Sequence, residues 1–165
     1  MRVVVNSTPL IALALVEQLE LLRHLFDEII IPVSVYEEIV QQGKGRPGAD
    51  AVSRASWLQV RAPRREAALP PVLLGLDPGE MDVLLLAQEL QADWVLIDEK
   101  LGRKTAEALG LRVKGTLGIL LSAYRSRLLS RSKAESAIET LSRSSVRVSP
   151  RLVQWFKEQL ACNDC

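Results

Sequence analysis

Short apolar runs alternate along the chain with segments whose apolar positions have helical spacing. Val3–Val5 and the runs EIIIP and WVLI are continuous and rich in β-branched residues, which is typical of strands buried on both faces. Helical spacing follows each of them: over 8–25 with a break near Val16, over a segment with Pro32 in its first turn, and over 100–109. This alternation predicts an α/β fold, in which helices cover both faces of a parallel sheet.

Weaker segments complete the predicted organisation. WLQV and LRVKG indicate brief strands, VRV near the C-terminus indicates a last strand, and further helices are expected at 78–91, 117–128, 131–143 and 150–161. The length of 165 residues is usual for one domain. We therefore expect a single domain over 1–165, with a C-terminal helical extension at about 131–165.

The formal net charge is only +1, but the two signs are separated along the chain. Acidic side chains concentrate in residues 1–99, whereas basic side chains concentrate in residues 100–165. This asymmetry suits a site that gathers carboxylates beside a surface that attracts polyanions. Solvated helix faces would give the same distribution, so charge alone does not decide between the two interpretations.

Two further features bear on location and on redox or zinc chemistry. No apolar run reaches membrane-spanning length and the N-terminus does not resemble a signal peptide, so we expect a cytoplasmic protein. Cys162 and Cys165 form a C-x-x-C motif, which is half of a zinc site, a redox pair, or a tail without function. The single histidine, His24, lies in a distant apolar helix, which favours the last interpretation.

Candidate metal ligands follow the predicted strands and occupy the predicted helices. Asn6 follows the first strand, and Asp98 and Glu99 follow WVLI, so these side chains are expected at the edge where parallel sheets bind ligands. Converging carboxylates repel one another unless a cation neutralises them, and hard oxygen ligands indicate Mg²⁺ or Mn²⁺. The acidic residues in the helices that complete this set are Glu37, Glu38, Glu80 and Asp82.

Five motifs, VVVNSTPLIALA, IIIPVSVYEEI, LDPGEMDVLLLA, VLIDEKLGRKTA and VKGTLGILLSA, stand in the order and spacing of a PIN domain. The chain resembles this family over essentially its whole length, and within it a subfamily of uncharacterised prokaryotic predicted nucleic-acid-binding proteins, similar to toxin ribonucleases of toxin–antitoxin pairs. The resemblance implies a three-layer α/β/α sandwich with a mostly parallel sheet of four or five strands. It also implies an acidic pocket for Mg²⁺ or Mn²⁺ and cleavage of RNA phosphodiesters.

Matching the family's motifs to this sequence implies a set of site residues and exposes one departure from the pattern. The first ligand of the family is normally Asp, whereas this chain has Asn6, so the resemblance predicts impaired catalysis. The implied catalytic residues are Glu38, Asp82 and Asp98. The implied metal ligands are the same three with Asn6, and a one-residue shift selects Glu99 instead of Asp98. The implied substrate contacts are Ser7, Thr8, Arg103, Lys104 and Thr116.

Several of these residues have ordinary structural explanations. Asn6 is a plausible cap for the first helix, with Pro9 at its first helical position. Asp77 and Glu80 have the spacing of a capping box. Glu37 and Glu38 are about 100° apart on a helix, so only one of them is expected to face the pocket. Arg103 and Lys104 are phosphate contacts or a solvated face.

Two functions from different classes follow. The favoured one is a metal-dependent endoribonuclease, impaired by Asn6; the alternative is a non-catalytic PIN module that binds RNA or a protein partner, including an antitoxin-like protein. A phosphate-receiver domain is disfavoured because the first strand does not end in an acidic pair. A homodimer is also expected if the apolar stripe of the last helix does not close the protomer's own core. That stripe consists of Leu152, Trp155, Phe156 and Leu160.

Overall fold

The computed structural model describes residues 1–64 and 69–162. Within these residues the centre of the fold is a five-stranded sheet with the order β3-β2-β1-β4-β5, and every neighbouring pair of strands runs parallel. The strands are β1 (Arg2–Val5), β2 (Glu28–Pro32), β3 (Leu58–Arg61), β4 (Trp94–Leu96) and β5 (Val113–Lys114). This confirms the predicted parallel sheet.

Helices flank the sheet and give the three-layer α/β/α arrangement that was predicted. The first four are α1 (Ser7–Leu15), α2 (Leu21–Leu25), α3 (Val33–Tyr36) and α4 (Ala49–Arg54), and α3 continues into a π-helical turn (Glu37–Gln41). The next are α5 (Pro78–Glu89), α6 (Lys100–Ala108) and α7 (Thr116–Arg125), after a 3₁₀ turn (Pro71–Leu73). The last two are α8 (Arg131–Ser142) and α9 (Pro150–Cys162).

The central strand β1 determines where the site lies. Its residues Val3–Val5 are fully buried, because β2 and β4 pair with it on either side and helices cover both faces. The register places Val5 opposite Leu96, and the Asn6 backbone N–H donates to the Leu96 carbonyl at 2.9 Å. The carboxyl ends of β1 and β4 therefore lie side by side, and the polar residues that follow each strand meet at one edge.

Two sequence predictions differ from the structure. Pro32 is the last residue of β2, where it pairs with Arg61, instead of lying in the first turn of the next helix. Residues 146–148, which the structure describes, have no regular secondary structure, so the predicted strand VRV is wrong. Val146 and Val148 pack partly buried against the core instead, which accounts for the alternating pattern.

The C-terminal helices pack on one another, with α9 against α7 and α8. Phe156 and Leu160 of α9 are fully buried, whereas Leu152 and Trp155 are exposed, so the apolar stripe is divided between the core and the surface. Each helix within the described ranges is too short or too polar to traverse a bilayer. Of the C-x-x-C motif, Cys162 is exposed at the end of α9 and Cys165 lies outside the described residues.

Candidate functional site

The residues that follow β1 hold one carboxylate, that of Glu99. Asn6 is only 2% exposed and occupies the N-cap position of α1, but its side chain points towards Glu99 instead of capping the helix. Its Nδ2 donates to Glu99 Oε2 at 3.1 Å, and the Thr8 hydroxyl donates to Glu99 Oε1. Glu99 is thus fixed at the carboxyl edge of the sheet by two side chains of a neighbouring segment.

Of the two adjacent glutamates in the π-helical turn, Glu38 faces this edge. Its Oε2 lies 3.5 Å from the position that a Cβ on Gly79 would occupy, and its carboxylate has a hydrogen bond from Ser7. Gly79 is the second residue of α5, so Glu38 is packed between the start of α1 and the start of α5. A π-helical turn rotates side chains relative to the α-helical spacing, and such turns are frequent at functional sites.

Glu80 contributes a third carboxylate from the first turn of α5. It completes a capping box, because Glu80 N–H donates to Asp77 Oδ1 at 2.8 Å and Asp77 N–H donates to Glu80 Oε2 at 3.1 Å. Its other oxygen, Oε1, lies 3.3 Å from the position of a Cβ on Gly102 in α6. Glu80 therefore serves the helix with one oxygen and leaves the second directed towards α6.

We call Glu38, Glu80 and Glu99 the carboxylate cluster. Desolvation raises the pKa of Glu38, and the charges of Asp77 and Glu99 raise it further, against the hydrogen bond from Ser7. Desolvation also raises the pKa of Glu80, opposed by the Asp77 backbone hydrogen bond and reinforced by the charges of Asp77, Glu99 and Glu38. The charge of Glu99 thus acts on both Glu38 and Glu80, and a cation placed among these side chains would offset it.

Asp98, the residue before Glu99, directs its carboxylate to Thr116 and not to the carboxylate cluster. It accepts from Thr116 N–H at 2.8 Å and from Thr116 Oγ1 at 2.6 Å, and so fastens the first turn of α7 to the end of β4. Burial raises the pKa of Asp98, while the two hydrogen bonds from Thr116 oppose the rise. Gly115 makes this approach possible, because a Cβ there would lie 2.7 Å from both Asp98 Oδ1 and Arg103 Nη1.

Asp82 is likewise buried but bonded outside the cluster. Its Oδ2 accepts from the Ser34 hydroxyl of α3 at 2.6 Å. Asp82 and Glu80 are two residues apart and hence about 200° apart around α5, so they face different neighbours. The residue that sequence reasoning assigned mainly to helix capping, Glu80, is the one that approaches Glu38 and Glu99. Gly102 lets α6 approach closely, because a Cβ there would lie 2.3 Å from Ile97 Cδ1 and 3.3 Å from Glu80 Oε1.

The chemical type of the ligands, though not their spacing, suits a divalent cation. Within residues 1–64 and 69–162, no three His, Cys, Asp or Glu side chains have the spacing of a metal site. The cluster nevertheless offers only hard carboxylate oxygens, the ligands that Mg²⁺ and Mn²⁺ prefer. Glu38 is exposed, so its side chain has room to rotate towards an ion beside Glu99, which Asn6 and Thr8 hold in place.

A cleft of about 1150 Å³ adjoins the cluster and shares Thr8 and Glu99 with it. Thr116, Arg103 and Lys104, three of the predicted substrate contacts, line this cleft, and Thr8 both lines it and bonds Glu99. Ser7, the remaining one, contacts Glu38 instead. The structure thus brings all five near the carboxyl edge of the sheet.

One comparison with known proteins identifies a similarity. A protein-family model with the description PIN domain matches residues 2–161, which is nearly the entire chain. No curated protein matches the sequence.

Proposed function

This chain belongs to the PIN-domain family, and we propose that it is a divalent-metal-dependent endoribonuclease whose activity is reduced by Asn6. Family membership indicates a nuclease or a nucleic-acid-binding module, and PIN domains generally depend on divalent metals. The observation that supports the finer proposal is the hydrogen bond from Asn6 to Glu99 at the carboxyl edge of the sheet, where the charge of Glu99 raises the pKa of Glu38 and of Glu80.

In this proposal the cluster holds Mg²⁺ or Mn²⁺ through carboxylate oxygens. A bound divalent ion supplies positive charge that stabilises a phosphodiester transition state and makes a water molecule more acidic. Glu80 is positioned by its capping box, and Glu99 is oriented by Asn6 and Thr8. Asp82 and Asp98, implied as ligands by the resemblance, support the site from outside by fixing Ser34 and Thr116.

Asn6 explains why we expect weak activity. An amide oxygen can coordinate a cation but adds no negative charge, and ligand charge governs affinity at such sites. The Asn6 amide also donates to Glu99, so that one carboxylate oxygen is occupied before any cation binds. The same observation favours the second candidate function, a non-catalytic module that binds RNA through an intact PIN fold.

Cleavage of single-stranded RNA with and without Mn²⁺ tests the proposal. Wild type should cleave slowly with Mn²⁺ and be thermally stabilised by it, and Glu99→Gln should lose both effects. Glu37→Gln is the matched control, because Glu37 is exposed and adjacent to the cluster residue Glu38. Wild type that neither cleaves RNA nor gains stability with Mn²⁺ would contradict the enzyme and support the binding module.

Further partners and the location remain predictions. RNA is the proposed substrate, and an antitoxin-like protein, a homodimer and a cytoplasmic location are finer expectations. The burial of Phe156 and Leu160 leaves Leu152 and Trp155 as the part of the stripe open to a second copy. Light scattering that gives a monomer at micromolar concentration would contradict the homodimer.

A further inference from the structure

The cleft beside the cluster has walls from two distant parts of the chain. One wall is the start of α6 with the turn between β5 and α7, and the other is the segment 145–148 with the first turns of α9. Six basic residues line the cleft: Lys100, Arg103, Lys104, Lys114, Arg147 and Arg151. Of these, Lys114 of β5 donates to the Ser122 hydroxyl at 2.9 Å, and the other five are distributed over the two walls. The acidic lining residues are Asp98, Glu99 and Glu107, of which Asp98 is bonded to Thr116 and Glu99 belongs to the cluster.

An exposed aromatic side chain lies among these charges. Trp155 lines the cleft and is 41% exposed, and Leu152, one turn before it, is 47% exposed. The next residue, Phe156, is fully buried and anchors α9 in the core. Lys157 Nζ also donates to Glu139 of α8 at 3.0 Å. Trp155 is therefore presented to solvent from a helix that is held in place on its other face.

We propose that this cleft binds one strand of nucleic acid, with a base stacked on Trp155 and the phosphates along the basic side chains. Basic grooves combined with exposed aromatic rings bind single strands, because every base has a face that can stack and the backbone is a polyanion. Bases paired in a duplex are stacked on one another and do not reach such a ring. Cleavage of the bound strand rests on the proposed function, since the strand passes Glu99 and the cluster.

The charge of the cleft favours a nucleic-acid strand over a protein segment as its occupant. An apolar partner helix would cover Leu152 and Trp155 but leave the basic side chains of the α6 wall, Lys100, Arg103 and Lys104, without a counter-charge. A nucleic-acid strand supplies an aromatic surface and a negative charge at every residue, which matches both properties of the cleft.

Fluorescence anisotropy with an end-labelled ten-nucleotide RNA tests the proposal, in EDTA so that binding is measured without cleavage. Trp155→Ala should weaken binding roughly tenfold, whereas Trp155→Phe should retain most of the affinity. Arg151→Glu should weaken binding and reduce the dependence of log K on log salt by about 0.7 per lost phosphate contact. Lys133→Glu, on the exposed face of α8 and outside the cleft, is the matched control.

Two readouts keep the test independent of folding defects. Melting curves establish that each variant is folded, and Arg151 is an exposed residue whose substitution leaves the core intact. Quenching of indole fluorescence on titration with unlabelled RNA should fall in Trp155→Phe, although Trp57 and Trp94 remain. Quenching equal to that of wild type would overturn the stacking.

Other outcomes would also overturn the inference. These are no binding by wild type at low salt, equal affinity for a duplex of the same sequence, an equal loss in Lys133→Glu, or a poly-glutamate peptide that binds with the same dependence on Trp155. Failure of the cleft is distinguishable from failure of the proposed function. Cleavage with Mn²⁺ but no binding effect of Trp155 refutes the cleft alone, and binding as expected without cleavage refutes the nuclease alone.

Discussion

The side-chain amide of Asn6 donates to Glu99 across the junction of β1 and β4, with 3.1 Å between Nδ2 and Oε2. In the metal-free protein this hydrogen bond neutralises none of the charge of Glu99, but it keeps the carboxylate at the edge of the sheet. A carboxylate at position 6 would face the same oxygen with a second negative charge. Such a pair would repel unless a cation or a proton lay between the two carboxylates.

Substitution Asn6→Asp should make the protein depend on a divalent cation. Without metal we expect a loss of about 1.5–3 kcal/mol in the free energy of unfolding, the usual value of a hydrogen bond to a charged group. With Mn²⁺ the added charge should give a larger rise in melting temperature than in wild type, together with faster RNA cleavage. Asn6→Ala, which removes the bond without adding charge, is the control. A variant whose Mn²⁺-dependent stabilisation equals that of wild type would contradict the prediction.

Asp98 and Glu99 should differ sharply in what their loss does. Asp98→Ala removes both acceptors of Thr116 and leaves a buried N–H without its partner, so we expect a loss of about 2–3 kcal/mol in the free energy of unfolding. Glu99→Gln should change stability far less and should abolish stabilisation by Mn²⁺. Thermal denaturation of both variants with and without Mn²⁺ makes the comparison. The reverse result would identify Asp98 as the ligand.

Gly115→Ala should disturb the same junction without removing any polar group. The added methyl group would lie 2.7 Å from Asp98 Oδ1 and Arg103 Nη1, so we expect a loss of about 1–3 kcal/mol. Gly79→Ala is the matched control, because its nearest neighbour, Asp77 Oδ1, would be 3.4 Å away and Glu38 Oε2 3.5 Å, in ordinary contact. Chemical denaturation of the two variants gives the difference, and equal stabilities would show that the turn before α7 yields easily.

The pH dependence of stability should reveal the cost of burying the charge of Glu80. Burial raises its pKa above the ordinary 4.5, so on acidification the folded state takes up a proton before the unfolded chain does. Glu80 therefore costs stability at neutral pH, and this cost is relieved as the pH falls towards 4.5. Glu80→Gln keeps the capping acceptor and removes the charge. At pH 7 this variant should therefore melt at a higher temperature than wild type.

The advantage of Glu80→Gln should shrink as the pH approaches 4.5, and it should reverse when Mn²⁺ is present at pH 7. Melting curves at several pH values give this difference directly, because contributions from other groups are common to both proteins. Glu37→Gln is again the control. A difference that stays constant with pH would show that the charge of Glu80 is not what destabilises the fold.

Comparison of Glu80→Gln with Asp82→Asn in the RNA cleavage assay shows which carboxylate of α5 serves the site. We expect the larger loss of cleavage for Glu80→Gln.

The sheet could be predicted from the sequence because its central strands are continuous β-branched runs. Val3–Val5 and WVLI are apolar throughout, as strands buried on both faces are, and the pairing of β1 with β4 brings Asn6 near Asp98 and Glu99. The run VRV misled because two valines spaced by an arginine suit a strand or a loop that packs on the core equally well. Val146 and Val148 pack partly buried against the core, a tertiary contact that the local pattern does not describe.

The orientation of individual carboxylates could not be predicted in the same way. Asp98 and Glu99 are adjacent, and only the position of Thr116 decides which of them turns to α7. On α5, the spacing of Asp77 and Glu80 predicts a capping box, and the sequence alone does not show where the second oxygen of Glu80 points. In the preceding segment, the π-helical turn changes the direction of Glu38 relative to an α-helix, and nothing in the spacing of EEIVQ indicates it.

Glu80 belongs both to the capping box of α5 and to the carboxylate cluster, so a change at one affects the other. One oxygen accepts from the Asp77 amide at 3.1 Å while the other approaches α6, so any ion that draws the carboxylate must also alter that amide's hydrogen bond. The Asp77 amide can therefore report on the state of Glu80, to which it donates. Binding of an ion at the carboxylate cluster can be followed by the chemical shift or hydrogen exchange of this amide, without a label on any residue that binds the ion.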